Sequence, residues 1–112
     1  MDKLNKIQIV KDLVEEIGNM VPSDEFSETQ AVMDTEGGHF VLFDIGWQDT
    51  KRVYLPFVHV DVKEDGKVWI QHDGTDLNIA NLLTEKGVPK DEIVIGYKAP
   101  HIRQRMEGFA VA

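Results

Sequence analysis

Three alternating segments, at 39–47, 52–63 and 68–71, are separated only by Gln48-Asp49-Thr50-Lys51 and Glu64-Asp65-Gly66-Lys67. A parallel pair needs a crossover of a dozen or more residues, so connections this short dictate antiparallel neighbours. The chain is therefore expected to lay down a β-meander. Gly66 stands where a hairpin turn needs a positive φ.

The middle segment, "RVYLPFVHVDVK", changes phase. Val53 and Leu55 are odd-numbered; Val58, Val60 and Val62 are even-numbered. The switch falls at Pro56-Phe57, where proline cannot donate to a ladder, and it predicts a bulge or an edge position. In "HFVLFDIGW", Val41, Phe43, Ile45 and Trp47 share one face. A fourth strand falls within 25–35, ahead of an "EGG" turn at 36–38.

Helices flank the meander. Leu4, Ile7, Val10, Leu13, Val14, Ile17 and Met20 recur at helical spacing over residues 2–20, with Asp2 as N-cap and Pro22, Ser23 and Asp24 as the stop. After "WIQHDGTD", Asp73-Gly74 turns the chain out of the sheet. Thr75 is expected to cap a helix over 76–86, with Asp76 in its first turn, Gly87 at C′ and Pro89 beyond. Residues 92–97 form a short extended segment, and a tail with one turn of helix follows. Strands and helices in this order make an α+β fold, with an N-terminal helix, a four-stranded mainly antiparallel sheet, a second helix, and a C-terminal extended segment and tail. Without repeats or a dividing linker, residues 1–112 are expected to form a single domain.

Composition narrows the function. Twelve Lys and Arg against twenty Asp and Glu leave a net charge of −8. Nucleic-acid binders use positive surface to displace counterions from phosphates, so tight independent DNA binding is not expected, nor is attachment to an anionic membrane. The chain has no cysteine, hence no disulfide and no thiolate chemistry. The absence of a signal-peptide pattern or an apolar run of about 18 residues makes a cytoplasmic location the expectation.

The tempting catalytic constellation is nuclease-like. Asp61-Val62-Lys63 supplies an acid-x-lysine on a strand, with Asp34 or Asp44 as an earlier acid for magnesium. The simpler reading makes Asp61 and Lys63 the solvent face of a strand. Of His39, His59, His72 and His101, none forms a helical i,i+4 pair. His59 and Asp61 share a face, but two ligands are too few for a closed metal site. Ser23 and Ser27 lack a nucleophile elbow, and neither "GTD" nor "EGG" resembles a P-loop. The residues thus predict no enzyme, no cofactor and no metal. Lys98, Arg103 and Arg105 form one basic run with no acid between them, suited to carboxylates or phosphates on a partner. Asp73 and Thr75, on their tight turn, are a second candidate contact.

The chain resembles the XisI family along nearly its whole length. The resemblance rests on "GW" at 46–47, "RVY" at 52–54, "HVDVK" at 59–63, "GKVWIQHDGTD" at 66–76, "IANLL" at 79–83, "GVPKDEIVIGY" at 87–97 and the ending "FAVA", in that order and spacing. It implies a controlling factor for excision of a DNA element such as the fdxN element of cyanobacteria, working alongside a site-specific recombinase and a nuclease-like companion, XisH. It supplies no catalytic residues. Together with the acidic charge, it implies a non-catalytic accessory protein with a XisH-like partner. The alternatives are a metal-dependent nuclease using Asp61 and Lys63, or a direct DNA binder using the Lys98–Arg105 run. The direction of control, the DNA element and self-association stay open.

Overall fold

The structure, a computed structural model, describes residues 1–20 and 24–112. The expected stop at Pro22 and Ser23 lies outside the described residues. Helix α1 spans Lys3–Met20. Asp2 caps it: Oδ1 accepts the Asn5 amide at 2.9 Å. Val10, Leu13, Val14 and Ile17 are its buried stripe. Leu4 and Met20, expected in that stripe, are 78% and 59% exposed. Lys6 is buried instead, and its Nζ lies 2.6 Å from Glu92 Oε1.

Five strands follow in spatial order: β1 Ser27–Asp34, β2 His39–Gln48, β3 Lys51–Val62, β4 Val68–Asp73 and β5 Ile93–Ile95. The first four form the antiparallel meander. The fifth corrects the expected four-stranded sheet. The short segment in 92–97 pairs in parallel with β4, Val68 opposite Ile93 and Ile70 opposite Ile95. All three of its residues are buried, as a parallel strand's continuous apolar run requires.

Between β4 and β5 the chain crosses through α2, Ile79–Glu85, and a 3-10 turn at Lys90–Glu92. Helix α2 starts later than expected, and Thr75 is not its cap. Asn78 is the N-cap, at φ 58°, and its side chain accepts the Asn81 amide at 3.2 Å. The reason lies in Asp73. Its Oδ1 accepts the Thr75 amide and hydroxyl at 2.9 and 2.6 Å, and its Oδ2 accepts the Ile79 amide at 3.0 Å. One carboxylate thus holds an Asx turn and the first helical N–H together. Gly87 holds the expected left-handed position after the helix, at φ 104°.

Both long helices cover one face of the sheet. Phe40, Leu42, Val58, Val60, Val62, Val68 and Ile70 join α1, Ile79 and Leu83 there in one buried cluster. In β2 the fully buried side chains are therefore Phe40 and Leu42, whereas Val41, Phe43 and Ile45 on the opposite face are only half-buried. The predicted bulge is present: Leu42 pairs with Val58 but Phe43 with Pro56, so Phe57 has no partner. The tail forms α3, Pro100–Arg103, and returns to β5, where the Ala110 amide donates to Ile93 O at 2.9 Å. No helix among the described residues is long and apolar enough to cross a membrane.

Candidate functional site

The bulge at Phe57 decides what faces away from the helices. Counting back from the β2–β3 turn without it, His39 would pair with Val60. The extra residue shifts the register by one, and His39 pairs with Asp61. Paired residues share a face, and His59, two residues before Asp61, shares it as well. Three side chains from two strands converge on the sheet surface opposite α1.

Their geometry is tight. Asp61 Oδ1 lies 2.8 Å from His39 Nδ1 and 2.8 Å from His59 Nε2. Gln71 Nε2 donates to Asp61 Oδ2 at 3.1 Å. The Asp61 side chain is 8% exposed, against 58% for His39 and 36% for His59. Asp61 is therefore not on a solvated strand face, as its alternation with Val60 and Val62 implied: cross-strand neighbours roof it over. Burial pushes its carboxyl pKa up, but the donors from His39, Gln71 and His59 outweigh this and hold it below its ordinary value. Asp61 is ionised at neutral pH, and an ionised carboxylate only accepts, so both imidazoles donate to it.

The nuclease arrangement does not assemble around this aspartate. Asp44 lines a hollow with Ile17, Met20 and Phe57, on the helix side of the sheet. Asp34 Oδ1 accepts the Glu36 and Gly37 amides at 3.1 and 2.9 Å and serves the β1–β2 turn. Lys63 Nζ lies 5.3 Å from the centre of the Trp69 ring, across from Asp61.

The basic run separates. Arg103 is half-buried and stacks over Trp69 at 5.1 Å, with its Nε buried and without a hydrogen-bond partner. Lys98 and Arg105 are exposed, Lys98 lying 5.7 Å from the Tyr97 ring centre. Asp73 and Thr75 line a different hollow of about 440 Å³ with Tyr97, Met106 and Phe109. Burial and the Asp73 carboxylate push the Tyr97 phenol up. Of the five candidate contact residues, Lys98 thus lies against Tyr97 at the Asp73–Thr75 hollow, whereas Arg103 is engaged on Trp69.

Sequence reasoning missed two features. His39 was not joined to His59 and Asp61, although the phase switch at Pro56-Phe57 together with the β2–β3 turn implied that register. The open sheet face was missed because alternation in β2 shows two faces without saying which one is covered. On it, Trp47, Tyr54 and Val32 are 56%, 62% and 54% exposed. Phe43 and Tyr54 rings pack at 5.7 Å, and the Arg52 guanidinium lies over Trp47 at 5.2 Å.

Comparison with known proteins places this architecture. The XisI protein family model matches residues 1–111. The chain belongs to the XisI family. A solved XisI-like protein from Anabaena variabilis ATCC 29413 is 36% identical, with a TM-score of 0.92 over 99% of this chain and 100% of the other. The fdxN element excision controlling factor XisI of the same organism shares the fold at 24% identity, with a TM-score of 0.86 over 99% and 100%. No curated protein matches the chain. The order of short motifs, rather than any one of them, is what marks XisI membership in this sequence.

Proposed function

We propose that this protein is a non-catalytic controlling factor for programmed excision of a DNA element, acting in the cytoplasm through a XisH-like, nuclease-related partner. The observation that carries the reading is the uncovered sheet face. Trp47 and Tyr54 stand more than half exposed on it, beside half-buried Val41, Phe43 and Ile45, in a chain of net charge −8. Exposed aromatic and aliphatic side chains grouped this way suit burial by a protein. Glu28 pairs with Ile45 and Asp34 with His39, so carboxylates border the same face. An acidic border repels DNA and complements a basic, DNA-handling protein. The family membership and the controlling role borne by a structural relative supply the process.

The test is co-expression with the XisH-like protein followed by purification through a tag on either chain. A stable complex is expected, weakened at least tenfold by Trp47→Ala with Tyr54→Ala while the variant keeps its fold. Failure of the XisH-like protein to associate would overturn the reading.

A further inference from the structure

We propose that His39, His59 and Asp61 form a divalent transition-metal site on the open face of the sheet. Their donor atoms lie within 4.8 Å of one another, the one such group of three among the described residues. Two imidazoles and one carboxylate are a donor set used for zinc and for other first-row ions. Ligands at about 2.0–2.1 Å from a tetrahedral ion stand roughly 3.3 Å apart. The two nitrogens are each 2.8 Å from Asp61 Oδ1. Opening these two contacts by about half an ångström brings both N···O separations to the spacing such an ion needs.

The surroundings suit a ligand set. Gln71 holds the other carboxylate oxygen at 3.1 Å, an outer contact of the kind that orients metal-binding carboxylates. Both histidines are partly exposed, so a neutral imidazole at either position can carry its proton on the far nitrogen and turn the near one to an ion. Three protein donors leave at least one position open, and it faces solvent beside Val41 rather than the core. Two strands fixed in register by the Phe57 bulge supply all three donors, so the site is set by the sheet and not by a loop.

The simpler account is that the imidazoles serve only to satisfy a buried carboxylate. The two accounts separate in the isolated chain, without any partner. Metal-stripped protein is titrated with Co²⁺ and, by calorimetry, with Zn²⁺. One ion per chain is expected, with a Co²⁺ d–d spectrum of low-coordinate N/O type, displaced by Zn²⁺. His39→Ala removes an exposed ligand without disturbing the core and is expected to abolish the spectrum. Gln71→Ala is expected to weaken binding about 10–100-fold while the spectrum persists. Zn²⁺ should raise the melting temperature of the wild type and not that of His39→Ala. No stoichiometric binding at 100-fold excess metal, or binding unchanged in His39→Ala, would overturn the proposal. Because no partner enters the assay, its failure leaves the accessory reading untouched.

Discussion

The Asp73 carboxylate and the Ile79 amide, six residues apart, meet at 3.0 Å and tie the end of β4 to the first residue of α2. With the two bonds to Thr75, Asp73 satisfies three donors that alanine would leave to water or to nothing. Asp73→Ala is expected to cost about 1–3 kcal/mol, and Thr75→Ala about 0.5–1.5 kcal/mol, since only one of those bonds uses the threonine side chain. Urea denaturation of both variants checks the order. Equal losses would mean that Thr75, not Asp73, organises the turn.

Gly38 should tolerate no side chain. It sits at φ 74°, and an added Cβ would collide with the Val62 carbonyl oxygen. The Val62 amide also donates to Gly38 O at 2.8 Å, closing the end of the β2–β3 ladder beside His39. Gly38→Ala is expected to cost at least the ~1–3 kcal/mol of a left-handed non-glycine residue. Amide exchange at Val62 should rise more than at Val58.

The Lys6–Glu92 pair gives the fold an acid-sensitive contribution. The hydrogen bond from Lys6 holds the Glu92 carboxyl below its ordinary value. A depressed carboxyl stabilises the fold fully above its unfolded pKa of about 4.3 and loses that contribution as pH falls through the lower folded value. Glu92→Gln should therefore cost about 1–3 kcal/mol at pH 7 and flatten the fall in stability below about pH 4.3. Paired thermal melts at pH 7 and pH 3 measure both effects; a variant as acid-sensitive as the wild type would count against the pair.

The three basic residues of the tail should behave differently. Arg103→Ala removes a guanidinium stacked on Trp69 and is expected to cost about 0.5–2 kcal/mol. Lys98→Ala and Arg105→Ala, both at exposed positions, should change stability by less than about 0.5 kcal/mol. With Arg103 engaged internally, two phosphate contacts rather than three remain, and the log–log salt slope for duplex DNA falls from about −2.7 to about −1.8. A filter-binding series in salt reads that slope; nanomolar affinity near physiological salt would contradict it.

Local chemistry made much of the fold legible. The four-residue turns fixed the antiparallel order of β2, β3 and β4, Asp2 and Gly87 marked helix ends, and the phase switch marked the bulge. Long-range compensation hid the rest. Lys6 reads as the polar side of α1 until Glu92 arrives from 86 positions away. Thr75 reads as a cap until the carboxylate of Asp73 claims its hydroxyl. Asp61 reads as a solvated strand position until His39 and Gln71 approach from the neighbouring strands. Each is a polar group whose partner depends on strand register or chain return, which periodicity along one segment does not contain.

Phe57 is the one extra residue in β3, and it lets Val53 and Leu55 before it and Val58, Val60 and Val62 after it face the helices together, which sets the chain's response to changes in length. Removing Phe57 would leave unbroken alternation with every pair kept, Leu42 still opposite Val58 and His39 still opposite Asp61. A single-codon deletion here should keep the register and cost only the burial of the Phe57 side chain, whereas a residue inserted between Val58 and His59 would turn His59 and Asp61 toward the hydrocarbon beneath α1. Homologous chains should therefore differ in β3 length by one residue at this junction more readily than anywhere else along the strand.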